Sequence, residues 1–364
     1  MLISNQNKNF HSNILLLSGL TIITLFFLFN IKHDFTNTYQ YLENLTKGVF
    51  LNPSYLKHTA SNGTQSFFIW IVITGIITIS AILLHRIIQV KIFHIISALF
   101  VLIIMKMFFT SPFELYGSYI LHYDRYFWKL DISLILFLFV PAVLFLAKTK
   151  KEKIFSFVLI AAGFLALFKV DSTKGLFFYF LSFVLSSILT VKKEKRYIFY
   201  MAGISVLFMA LGVAKGYKVI EILKNRKDIY LDNILLTLYK KEISFLPKNE
   251  ILYSTKTVYN LWTDFVPIYI LEKFGWIIGL LMILLPVAIF IYGLIKSIRN
   301  LKSDYGKLVF VLSITLIIYT IASLLSLIPG FFKYGLYYPL YGYITGMTIF
   351  YLYVVSLIAL KMQK

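Results

Sequence analysis

The chain has 364 residues, 59% of them hydrophobic and 14% charged, with a mean hydropathy of +0.80 and a formal net charge of +20. A soluble domain is nearer about 45–50% apolar and about 25% charged, so an assembly of water-facing domains is excluded and the fold class is an all-α polytopic membrane protein. Cysteine is absent, which excludes a disulfide framework, an iron–sulfur cluster and a thiolate zinc site. The basic excess lies in short links between apolar runs, where it sets topology. No basic, aromatic-interleaved domain exists to hold a nucleic acid.

Runs of about 17–25 apolar residues mark spanning helices, because the hydrocarbon core is about 30 Å thick and each helical residue rises about 1.5 Å. In chain order, about ten transmembrane helices are predicted on this criterion, over residues 13–31, 66–84, 92–109, 130–147, 154–169, 175–191, 197–214, 265–296, 308–330 and 339–360. The fifth and sixth are short. The first follows a single lysine, Lys8, with no small-residue cleavage site, and reads as a retained helix rather than a signal peptide. The chain is thus expected to form one transmembrane domain over residues 1–364.

Alternate links carry the basic residues: Arg86 and Lys91; Lys148, Lys150, Lys151 and Lys153; Lys192, Lys193, Lys195 and Arg196; Lys296, Arg299, Lys302 and Lys307; and Lys361 and Lys364. This set is expected inside, which puts both termini in the cytoplasm. Residues 32–65, 110–129 and 215–264 then lie outside. The last is the one large extracytoplasmic loop, whose lysines attract anionic headgroups or pyrophosphate. Its segments around Tyr217–Leu223 and Asp232–Tyr239 mix apolar and charged faces, as interfacial helices do. The six histidines, His11, His33, His58, His85, His94 and His122, are scattered singly. No P-loop, dinucleotide fingerprint or internal repeat is present.

Ionisable groups at or within spans are costly and often functional. Asp264, in Leu261-Trp262-Thr263-Asp264-Phe265-Val266-Pro267, closes the long loop and opens the run at 265–298. Thr263 or Asp264 is suited to cap the following helix, and Pro267 suits its first turn. A capped carboxylate can still take a proton from a bound hydroxyl. Glu272 and Lys273 fall in the same run, with Glu272 about 12 Å along the axis from Asp264. Either can also be satisfied by a polar group on another helix. Asp171 opens the turn Asp171-Ser172-Thr173-Lys174-Gly175, where a plain turn or cap also explains it. Arg125, Trp128, Lys129 and Asp131 lie close together in the external segment, as an anchoring belt or as a cationic rim for pyrophosphate. Lys106 and Lys169 sit at span ends, as snorkelling side chains do. Ile328-Pro329-Gly330, with Tyr338-Pro339-Leu340-Tyr341-Gly342-Tyr343, makes a stiff external loop.

In order, these motifs resemble the SEDS family of shape, elongation, division and sporulation proteins. Thr263-Asp264-Phe265 with Glu272 and Phe274-Gly275 is similar to its Thr/Asn-Asp-Phe-Ile-Phe…Glu-Glu-Leu/Phe-Gly run. Asp171 is similar to the aspartate of its Pro-Asp-x-Gly-Thr turn, and Ile328-Pro329…Pro339-Leu340…Tyr341-Gly342 to its Leu-Pro…Pro-Leu-Pro…Ser-Tyr-Gly-Gly. The family's Gln-Pro-Ser-Glu-x-x-Lys is altered near Tyr126–Asp131, the Asp171 turn lacks its proline, and Leu246-Pro247 stands well upstream of Asp264. The resemblance implies a peptidoglycan glycosyltransferase of the bacterial cytoplasmic membrane that polymerises lipid II beside a class B penicillin-binding protein. It implies Asp264 as general base or as organiser of the acceptor hydroxyl, with Thr263, Glu272 and Asp171 near the substrate. Arg125 and Lys129, or a divalent cation such as Mg²⁺ or Mn²⁺, would neutralise the pyrophosphate. The alternatives are an inactive scaffold that regulates a penicillin-binding protein, and a polymerase or ligase of another lipid-linked polysaccharide.

Overall fold

The computed structural model describes residues 92–109, 114–115, 118–123, 126–170, 172–191, 266–328, 336, 338–341 and 343–362, with residues 19–20, 22–23, 203 and 206. Among these the chain is overwhelmingly helical. Helix α1 is Ile92–Phe109. Three short strands follow, β1 Glu114–Leu115, β2 Ser118–Tyr123 and β3 Tyr126–Asp131. Then come α2 Ile132–Ile135, a 3₁₀ turn Leu136–Leu138, α3 Phe139–Leu146, α4 Lys150–Lys169 and α5 Thr173–Val191. The C-terminal part holds α6 Val266–Ile298, α7 Asp304–Leu325 and α8 Tyr343–Met362. The runs expected at 13–31, 66–84 and 197–214, and the loop at 215–264, lie almost wholly outside the described residues.

Local chemistry fixes the helix ends. Thr149 and Glu152 form a reciprocal capping box at the start of α4: the Glu152 amide donates to Thr149 Oγ1 at 3.2 Å, and Glu152 Oε2 accepts from the Thr149 amide at 3.0 Å. Two orphan donors of the first turn are thereby satisfied. Ser303 caps α7 with a single bond, accepting from the Gly306 amide at 2.9 Å. These caps set the helix starts several residues before the expected apolar runs, at Lys150 rather than 154 and Asp304 rather than 308.

Contacts between helices fix their directions. Glu152 lies 4.0 Å from His94, near the start of α1, and Lys169 Nζ donates to the Phe108 carbonyl near its end. Helices α1 and α4 therefore run parallel. Lys307, at the start of α7, sits over the Phe145 ring near the end of α3, so α3 and α7 are antiparallel. Tight turns at 147–149, 170–172 and 299–303 reverse the chain between α3 and α4, α4 and α5, and α6 and α7. One end of the bundle thus holds Lys148, Lys150, Lys151, Arg299 and Lys302. The other gathers the end of α1, the strands, the α4–α5 turn, the break in α6 at Gly275 and the loop before α8.

The core is aromatic and continuous. Phe137, Phe178 and Tyr319 join the 3₁₀ turn, α5 and α7, with ring centroids 4.9–6.1 Å apart. Phe100, Phe139, Phe164 and Tyr179 join α1, α3, α4 and α5. Phe290, Phe350 and Tyr353 join α6 and α8. Several buried hydroxyls are satisfied inside the bundle: Ser313, Thr315 and Thr320 donate to carbonyls four residues back, and Ser182 donates to the Phe137 carbonyl of the neighbouring 3₁₀ turn at 2.9 Å. Where no water is at hand, hydroxyls bond this way to their own or adjoining helices.

Among the described residues two helices, α6 and α7, are long and apolar enough to cross a membrane. Only 28% of the most apolar stretch of α6 is buried. Leu281 is 66% exposed, and Ile277, Leu284 and Ile298 are exposed beside it. The core helix of a water-soluble protein buries such a surface, and an apolar face this large marks contact with membrane or partner.

Two expectations are corrected. The stretch 126–131 is a strand, so the helix expected from 130 begins at Ile132. Its aromatic run, Tyr126-Phe127-Trp128, suits a strand. β2 and β3 pair antiparallel, with Tyr123 opposite Tyr126 and Ile120 opposite Asp131. The run at 265–296 is not one straight span. Gly275 has φ 73°, ψ 176°, a conformation that is essentially glycine's alone, and the helix breaks there. Residues 266–274 form a short helix. Residues 276–298 form a second one of about 34 Å at 1.5 Å per residue, long enough to cross a bilayer unaided.

Candidate functional site

The end of the bundle opposite the basic turns holds the sequence motifs. Its first component is the junction of α2 with the α4–α5 turn. Ser133 Oγ and Ser172 Oγ are 2.6 Å apart, both fully buried. Ser172 Oγ also accepts from the Gly175 amide at 3.2 Å, which makes Ser172 the cap of α5. A Cβ at Gly175 would stand 2.8 Å from the Ser133 carbonyl oxygen, so only glycine lets these elements meet. Asp171 itself lies outside the described residues, and the cap that would have explained it falls to Ser172.

The second component is the short helix at 266–274. Val266, Pro267, Ile268, Tyr269 and Ile270 are all buried. Glu272 and Lys273 are half-buried, with the Oε2 oxygen of Glu272 fully enclosed. They were expected two turns down a continuous span. They stand instead on the last turn before the break at Gly275, with exposed Trp276 just after it. Thr263 and Asp264 immediately precede this helix in the sequence and lie outside the described residues.

The third component is the loop before α8. Leu336, Tyr338, Leu340 and Tyr341 are buried. Tyr338 donates to the Ile283 carbonyl of α6 at 2.6 Å, and Ser323 of α7 donates to the Leu336 carbonyl at 3.2 Å. Pro286 removes one N–H from the α6 ladder nearby, and the Tyr338 hydroxyl bonds to the disturbed turn from outside the helix. Leu340 holds φ 71°, a strained value for a branched side chain that persists only where packing over-determines it. Burial, and then the neighbouring Tyr341, push the Tyr338 phenol far above its ordinary range. It therefore acts as a neutral donor.

The fourth component is the β2–β3 hairpin, with β3 packed against α8 and β2 against α2. Lys129 lies on β3. Arg125 falls between β2 and β3, outside the described residues. At the edge of this end, Lys169 is exposed and held by the Phe108 carbonyl and ring, a geometry in keeping with a snorkelling cation.

The fold therefore brings Lys129, Glu272, Lys273 and the tyrosine loop to one end, beside the chain positions that flank Asp171 and Asp264. Among the described residues, no three His, Asp or Glu side chains are grouped to hold a metal ion. Glu272 alone does not make a divalent-cation site, and no step below is routed through one. Ser133 carries no signal in the sequence, and Gly275 and Ser172 stand there only as members of motifs, without the roles the fold gives them. The signal for Gly275 was present in Glu272-Lys273-Phe274-Gly275-Trp276, where a charged pair and a glycine interrupt an apolar run. No family model matches the chain, and no curated protein matches it.

Proposed function

We propose that this protein is a polytopic enzyme of the bacterial cytoplasmic membrane, with both termini inside, that polymerises a polyprenyl-pyrophosphate-linked glycan at the outer face. Lipid II is the donor named by the SEDS resemblance, and a class B penicillin-binding protein is the partner it names. Asp264 takes the proton from the acceptor sugar hydroxyl. The acceptor oxygen bonds to the donor's anomeric carbon as the bond to pyrophosphate breaks, and polyprenyl pyrophosphate leaves. Holding the two sugars together supplies much of the rate. Thr263, Glu272 and Asp171 orient the sugars, and Arg125 and Lys129 offset the charge of the leaving group.

The observation that carries this reading is the gathering at one end of the bundle of β3, the α4–α5 turn, the short helix that follows Asp264 and the tyrosine loop. A site of this kind needs charged groups beside an apolar, lipid-facing wall, and the exposed face of residues 276–298 supplies one. The test is purified protein in liposomes with labelled lipid II: polymer is expected, and none from Asp264→Ala. Polymer from that variant at the parent rate removes Asp264 from the mechanism. Chelation with EDTA in the same assay decides whether a divalent cation shares the role of Arg125 and Lys129.

A second reading is a polymerase or ligase of another lipid-linked polysaccharide. It is favoured by β3, which presents Tyr126-Phe127-Trp128-Lys129-Leu130-Asp131 where the family's Gln-Pro-Ser-Glu-x-x-Lys would fall. Mass analysis of the lipid-linked sugars that accumulate on depletion separates the two.

A further inference from the structure

The break at Gly275 does more than bend a helix. A Cβ placed on Gly279 would lie 3.0 Å from the Cα of Leu271 and 3.2 Å from the carbonyl oxygen of Ile270. In a continuous helix, residues eight apart are separated by about 12 Å along the axis. The two segments therefore double back and touch, with Gly279 leaving room for the backbone of the other arm. Gly275 is the apex. The arm at 266–270 is wholly buried, whereas Trp276, Ile277 and Ile278 just past the apex are exposed. Charged Glu272 and Lys273 flank the apex with Trp276, the residue types that settle at a membrane–water interface. From that level residues 276–298 reach the opposite face alone.

We infer that residues 266–274 form a re-entrant helix hinged at Gly275, and that Gly275 is a positioning residue for the chemistry at this end. The arm does not continue the span. It leads from a tip at the bilayer surface back into the bundle, where Val266, the residue next in sequence to Phe265, is buried. The positioning role rests on the proposed function, whereas the hairpin itself does not.

The cysteine-free chain makes the test clean. Leu271→Cys with Gly279→Cys, in the full-length protein in membranes, is expected to form a disulfide under mild copper–phenanthroline oxidation, with the arms giving by a few tenths of an ångström to admit the Cβ that Gly279 lacks. Ser133→Cys with Ser172→Cys serves as the reference pair, since those hydroxyls are 2.6 Å apart. Adding Gly275→Ala should lower the 271–279 yield at least tenfold and leave the reference pair unchanged. Cross-linking of the reference pair without the 271–279 pair overturns the hairpin. Polymer synthesis at the parent rate by a membrane-inserted, monodisperse Gly275→Ala protein overturns the positioning role and leaves the hairpin standing. Absence of polymer from the parent protein on every lipid-linked donor, with the 271–279 cross-link formed, removes the proposed function and with it the positioning role, while the hairpin stands.

Discussion

Gly293→Ala tests the packing of α6 against α8 with a single methyl group. The added Cβ would stand 1.8 Å from the Tyr353 hydroxyl oxygen and 3.3 Å from Ser313 Oγ. Carbon–oxygen contacts settle at about 3.3–3.6 Å, so the hydroxyl has to retreat by about 1.5 Å. Its ring is fully buried and stands edge-on to Phe290 at 4.9 Å, which leaves little room to swing. Retreat also breaks the 2.8 Å bond between Tyr353 and Ser313. Overpacking of this kind costs about 1–3 kcal/mol, and an interhelical bond in a membrane bundle about 0.6 kcal/mol. The better helix propensity of alanine returns about 0.8–1.0 kcal/mol. The expected net loss is about 1–3 kcal/mol. Tyr353→Phe alone should cost only about 0.6 kcal/mol, because Ser313 keeps its 2.7 Å bond to the Val309 carbonyl. With the oxygen gone, Gly293→Ala should become cheaper by at least about 1 kcal/mol, a coupling within the range seen for residues in contact. The assay is reversible unfolding of the four proteins in mixed micelles by SDS titration, followed by circular dichroism. A neutral or stabilising Gly293→Ala, or an equal cost in both backgrounds, refutes the argument.

Other outcomes follow from the same contacts. Gly306→Ala would put its Cβ 1.9 Å from the Asn300 carbonyl oxygen, a backbone atom. It should therefore cost about 3 kcal/mol in the same titration, the upper end of overpacking, and a value under about 1 kcal/mol would contradict this geometry. Ser172→Ala removes the cap of α5 and the partner of Ser133, for an expected loss of about 1–2 kcal/mol, whereas Ser356→Ala, which removes only an exposed same-helix bond, should be near neutral. The Thr149 and Lys148 amides, helped by His94, hold Glu152 below its ordinary value of 4.5. The folded value is the lower one, so this contribution is complete above about pH 4.5 and fades as pH falls through the folded value. Glu152→Gln should flatten the acid limb of thermal midpoint against pH, and an unchanged slope would exclude the cap as its source.

The helical class, and among the described residues most helix positions, were legible in the sequence, because an apolar run of bilayer length has few other uses. Hydropathy placed two helix starts late, at 154 and 308, and the caps that move them to Lys150 and Asp304, Thr149 with Glu152 and Ser303, went unread. Candidate residues were legible as charges at the edges of apolar runs. Of these, Glu272 and Lys129 are located by the fold, and Asp264, Thr263, Arg125 and Asp171 stand on the sequence motifs. The strand at 126–131 was harder to read, since Tyr, Phe, Trp and Leu suit an interfacial belt as well as a sheet, and pairing with β2 decided between them.

Composition and apolar run length, read along the chain, therefore determined a bundle of membrane-type helices with basic turns at one end. Tertiary structure alone decided that the run at 265–298 doubles back at Gly275, that Tyr338 bonds to Ile283 beside Pro286, and that Ser133 meets Ser172. The reason is physical. Hydropathy sums transfer energies over many residues and is blind to a single backbone dihedral. The partner of a buried hydroxyl depends on which helices pack side by side, and that is a property of the whole chain.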